Sequence, residues 1–149
     1  MRLRLKRIGI AIIAIFVAIQ LVPVDTHNPA VNPARAIYAT MPVPSSVRSV
    51  FDGSCRDCHS NETRWPWYAH VAPVSWIVAQ DVHEGRREMN FSEWGTYSPQ
   101  KREDKLEEIC EQLVNGDMPE SKYAFIHRKS KPTEAQRTAV CQWTEDARQ

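Results

Sequence analysis

The chain has 149 residues, room for one ordinary domain and a tail but not comfortably for two. Its 19 Lys and Arg against 18 Asp and Glu leave a net charge of +1, so no global bias points to nucleic acid or another polyanion. The distribution is uneven: Arg2, Arg4, Lys6 and Arg7 precede any acid, and the remainder carries 15 basic against 18 acidic groups, a mildly acidic −3.

The cationic start is followed by Ile8 to Val22, apolar except for Gly9 and Gln20. A basic segment leading into an apolar one is the layout of a signal peptide or signal anchor. A spanning helix needs about 17–25 apolar residues, a length reached here only if Pro23 and Val24 are counted. No small-x-small cleavage pattern follows directly. The sequence therefore predicts an uncleaved inner-membrane anchor over residues 1–24, with the rest of the chain on the periplasmic side by the positive-inside rule. Residues 25–45 contain Pro29, Pro33, Pro42 and Pro44 without a sustained period and read as an extended linker.

From residue 46 to 149 the signals are helical, and no strand pattern or repeat stands out. Val47, Val50 and Phe51 suggest a short helix that stops near Gly53. Pro73 suits a first helical position, and Val74, Ile77, Val78 and Val82 repeat at helical spacing up to Gly85. Ser98 can cap a further helix that has Pro99 at its first position and Gly116 after its last turn. Thr133 with Gln136 forms a capping box for a final helix. The expectation is a small all-α domain.

Cys55-Arg56-Asp57-Cys58-His59 carries the chemistry. Two thiols one turn apart can reach the two vinyl groups of a haem, and the adjacent imidazole then lies below the iron. A thioredoxin-like pair would need an α/β setting, and a zinc site would need a second tight ligand pair. Neither is visible. The sequence therefore points to one covalently attached haem c.

The stretch from Cys55 through Trp65-Pro-Trp-Tyr68, Ala72-Pro-Val-Ser-Trp76 and Gly85-Arg86 to Asn90-Phe-Ser-Glu-Trp94 resembles the bacterial haem-binding domain family of single-haem proteins. The likeness continues through Asn115-Gly-Asp-Met-Pro119, Tyr123 and Trp143, and covers roughly residues 46–146. It implies a cytochrome c-like helical domain with c-type haem in the periplasm.

With His59 as proximal ligand, the candidates for the other axial position are Met118, Met89, His70, His83 and His127. Met118 is favoured because it lies in a loop between the two best-marked helices, where small cytochromes place a distal Met, and the resemblance agrees. Arg86, Arg64 and Trp65, with Arg87, are candidates to hold the propionates through guanidinium or indole N–H donors. Trp67 and Trp76 suit packing against the porphyrin. Cys110 and Cys141 fit a disulfide or two small buried apolar groups equally well. The functional expectation is an electron carrier with redox partner proteins, a membrane-bound N-terminus, no nucleic acid and no specified oligomeric state. The alternative is a ligand sensor or peroxidase-like enzyme with an open or labile distal position.

Overall fold

The chain folds into seven α-helices with no strand: α1 (Arg2–Ile19), α2 (Ile37–Thr40), α3 (Ser45–Val50), α4 (Val74–Glu88), α5 (Pro99–Asn115), α6 (Ser121–Ile126) and α7 (Glu134–Asp146). This computed structural model describes residues 1–149. Local chemistry sets the two best-defined helices as the sequence predicts. Ser98 Oγ accepts the Lys101 N–H at 3.2 Å, Pro99 fills the first position of α5, and Gly116 ends it with φ of 78°, a value that favours glycine. The Thr133–Gln136 capping box is present in both directions at the start of α7.

Helices α5 and α7 pack through Leu106, Ile109 and Leu113 against Val140 and Trp143, and Val47 and Val50 of α3 close the cluster. Phe51 is fully buried at its centre, stacked on Phe91 at 4.8 Å and edge-on to Trp143 at 5.6 Å. Residues 25–45 do not run free. Ile37 is buried in the same core, its N–H donates to the Phe91 carbonyl at 2.8 Å, and the Trp143 indole N–H donates to the Pro42 carbonyl at 3.0 Å. Tyr38, Met41 and Val43 pack against the cluster beside Ile37, but at spacings that sustain no helical or strand period, which is why this stretch reads as a plain linker.

Two expectations are corrected here. No helix of the structure is long and apolar enough to cross a membrane, so the inner-membrane anchor, and the periplasmic placement that rested on it, are not supported. Helix α1 ends at Ile19, and its last cation is Arg7. The uncharged remainder is 12 residues, about 18 Å at the helical rise, against a hydrocarbon core of about 30 Å. The second correction concerns α4, which runs through Gly85 and stops only after Glu88.

Cys110 and Cys141 form a disulfide that ties α5 to α7 across 31 positions. Cross-linking a loop of that length restricts the unfolded chain and stabilises the fold by about 2–4 kcal/mol. Replacing both cysteines by serine is therefore expected to lower the unfolding free energy by about that amount, read from urea titrations of the two proteins under non-reducing conditions.

Candidate functional site

Helix α3 passes into a π turn over Phe51–Cys55, and this delivers the cysteine motif directly from the core residue Phe51. The chain stays coiled beyond it, with the Cys58 and His59 N–H groups both donating to the Cys55 carbonyl, at 3.2 and 3.0 Å. That coil places Cys55, Cys58 and His59 along one wall of a predominantly apolar cavity of about 660 Å³. Its size lies within the range of about 300–1,000 Å³ usual for ligand and cofactor sites.

Helix α4 crosses the motif at Gly85. A Cβ there would stand 2.7 Å from the Cys58 carbonyl oxygen, a backbone atom that cannot swing aside. The glycine is therefore required by close approach, in the middle of a helix where it costs about 1 kcal/mol relative to alanine. The helix then ends as the Met89 N–H donates to the Gly85 carbonyl, and the chain turns extended. This exposes the Met89 carbonyl to the His59 ring, with Nδ1 and oxygen 3.1 Å apart. Two residues later the Phe91 N–H donates to the His59 carbonyl at 2.8 Å, so the histidine is held by both side chain and backbone.

A carbonyl oxygen only accepts, so His59 Nδ1 carries the proton and the lone pair lies on Nε2. Enclosure by protein holds the imidazole below its ordinary pKa, favouring the neutral ring. The Cys55 and Cys58 thiols are each pushed up to about 12, mainly by burial, with the neighbouring acids Asp81 and Asp57 adding to the effect at Cys58. This is the opposite of the lowered pKa of a catalytic redox thiol. The two cysteines are not bonded to each other. Nowhere are three or more His, Cys, Asp or Glu side chains arranged to hold a bare metal ion.

Of the five distal candidates, Met118, His127 and Met89 line the cavity, whereas His70 and His83 are exposed and off its wall. Met89 belongs to the His59 side through its carbonyl. Met118 follows Gly116 and Asp117, and its N–H donates to the Gln112 carbonyl at 3.2 Å. His127 is hydrogen-bonded through Nε2 to the Tyr68 hydroxyl and stacks on Tyr123 with ring centres 4.4 Å apart.

Residues 14–146 match the sequence model of the haem-binding domain family. The chain belongs to this family. It is a haem-binding protein, and neither curated proteins nor solved structures gave a match. The residues present fit the group: an apolar cavity, two protonated thiols and an imidazole whose Nε2 is free to ligate, all on one wall.

The expected propionate donors divide. Arg64 lines the cavity, but its Nε donates to Asp57 Oδ1 at 3.0 Å. Arg86 and Trp65 are not on the cavity wall. The Arg86 guanidinium donates to the Ser60 carbonyl at 2.8 Å, Asn28 Oδ1 at 2.7 Å and Thr63 Oγ1 at 2.8 Å. The Trp65 indole N–H donates to the same Asn28 oxygen at 3.0 Å. Both residues bind the loop after the motif to the segment before the domain, a use of their donors that no sequence spacing reveals. Arg87 is paired with its neighbour Glu88 at the surface.

Sequence reasoning missed Gly85 as a contact residue, and it missed Asp57. The Asp57 carboxylate accepts the Arg64 backbone N–H at 3.2 Å through Oδ1 and the Tyr123 hydroxyl at 3.1 Å through Oδ2. Burial first, and then the Asp57 charge, raise the Tyr123 pKa, so the phenol stays a donor. No local signal separated the first from a helix-ending glycine. For the second there was none either, since the two middle positions of such a motif are unconstrained by the haem chemistry.

Gly85→Ala is expected to lift α4 off the Cys58 peptide at a cost of about 1–3 kcal/mol, as other overpacked contacts do. The check is thermal unfolding together with the haem content of protein expressed alongside wild type. Equal stability and equal loading would show that the contact yields freely.

Proposed function

We propose that this chain is a single-haem c-type electron carrier in which Cys55 and Cys58 hold the haem as thioethers and His59 and Met118 are its axial ligands. The observation that carries the reading is the pairing of His59 Nδ1–H with the Met89 carbonyl beside two free thiols on the wall of one large cavity. It leaves His59 Nε2 available and fixes the ring's orientation, as partners of ligating histidines generally do. Haem, when bound, supplies one-electron chemistry at its iron.

The chain's own groups do the remainder. The Met89 carbonyl makes the His59 imidazole a better donor. A Met118 thioether favours the reduced state and a higher potential than a second imidazole would. The apolar walls exclude water, and no acid, base or nucleophile is required of any side chain. The partners would be proteins that give and take single electrons.

Covalent attachment is tested by unfolding the holoprotein in acid and organic solvent and asking whether the haem stays with the chain. Retention is expected for wild type, and complete extraction from the Cys55→Ala, Cys58→Ala double variant. Extraction from wild type would overturn the c-type reading. For the distal ligand, Met118→Ala is expected to turn a low-spin ferric spectrum high-spin and to let carbon monoxide bind the reduced form. A wild-type protein already high-spin and open to carbon monoxide would favour ligand sensing or peroxidase-like chemistry instead.

A further inference from the structure

Met118 lies at one end of a strap, residues 117–128, that contains α6 and lines the haem cavity with Met118, Tyr123 and His127. The strap is not held by apolar burial. No residue of α6 is buried, and Phe125 and Ile126 are 76% and 56% exposed. Its fastenings are polar. The Lys122 ammonium donates to Asp81 of α4 at 2.8 Å, the Tyr68 hydroxyl pairs with His127, and the Tyr123 hydroxyl donates to Asp57.

These contacts differ in weight. Lys122 is half exposed, and ion pairs of that kind contribute little and are screened by salt. The Asp57 side chain is only 16% exposed, so the 3.1 Å bond from Tyr123 to its charge is less screened than the exposed ion pair. Asp57 also lies between Cys55 and Cys58, in the segment whose position the haem itself would fix. Its bond to Tyr123 therefore runs from the strap that carries Met118 to the segment that carries His59.

We propose that Tyr123, acting through Asp57, is a positioning residue that holds Met118 on the haem iron. The proposal rests on Met118 being the distal ligand. Without the Tyr123–Asp57 bond, the strap would retain its exposed ion pair, the Tyr68–His127 contact and the Asp117 and Met118 N–H bonds to the Gln112 carbonyl at its start, and Met118 would leave the iron more often.

The test is stopped-flow binding of imidazole to the ferric holoprotein, where the rate at saturating imidazole reports how fast Met118 dissociates. Tyr123→Phe removes one hydroxyl and keeps the ring, and is expected to raise that limiting rate about tenfold or more. Asp57→Ala, which also removes the carboxylate's bonds to Arg64, should raise the rate at least as much, and adding Tyr123→Phe to it should raise it no further, since the hydroxyl's acceptor is already gone. Lys122→Gln should stay within about threefold of wild type. An unchanged limiting rate in Tyr123→Phe, with the methionine-to-iron absorption band intact, overturns the positioning role alone. So does equal acceleration by Lys122→Gln, which would mean a strap loosened by any lost contact. A Met118→Ala spectrum identical to wild type instead removes Met118 from the iron, and this proposal with it.

Discussion

The hydrogen bond between the His59 ring and the Met89 carbonyl depends on where α4 stops, and most of the structure around the haem cavity follows from that. Helix α4 must come close enough to the motif for its last carbonyls to matter, which Gly85 permits by having no Cβ against Cys58. It must also end promptly, and the Met89 N–H donating back to Gly85 is its final bond. The extended residue that follows can then turn its carbonyl to the imidazole. Phe91, two positions on, bonds the His59 carbonyl and stacks on Phe51, the residue from which the motif departs. Ile37 completes the arrangement by donating to the Phe91 carbonyl. The orientation of one imidazole is in this way inherited from the centre of the core rather than from the loop it sits on.

That core is small. Its cluster has 11 buried residues, and Phe51, Phe91, Ile109 and Leu113 of that cluster also line the cavity. Haem held there would cover those side chains, and a ligand that binds the folded chain alone stabilises it. The disulfide between α5 and α7 acts at the other side of the same cluster, where it restrains the unfolded chain without touching the cavity.

How much of this was legible depended on the range of the interaction. The caps at Ser98, Thr133 and Gly116 were readable because each is satisfied within four residues. The motif was readable because its spacing of Cys55, Cys58 and His59 lies within five consecutive residues. Gly85 was misread as a helix end because glycine has two uses, and only the approach of Cys58 from 27 positions away decides between them. The anchor expectation failed because it counted apolar residues past the point where the helix stops. Met118 and His127 were distal candidates from their loop positions, and both line the cavity, but the strap's fastenings to Asp57, Asp81 and Tyr68 cross three other segments and leave no local trace.

Arg86 shows the same limit from the opposite direction. A guanidinium in a haem protein is a natural partner for a propionate, and the sequence offers no competitor for it. In the fold it meets acceptors from two distant segments, Asn28 on one side and Ser60 and Thr63 on the other, and its Nε and Nη2 donate there. Burial lowers its pKa, a cost that these hydrogen bonds offset. Further back, Gln20 holds the Ala72 peptide from both sides, accepting its N–H at 2.9 Å and donating to its carbonyl at 3.1 Å. The loop that follows His59 is therefore braced by residues that precede the motif, which accords with a family match that begins at residue 14 and not at the first core helix. A residue chosen for the cofactor by its chemistry alone serves instead to hold the cofactor's loop, because the unpaired backbone acceptors of that loop also require donors.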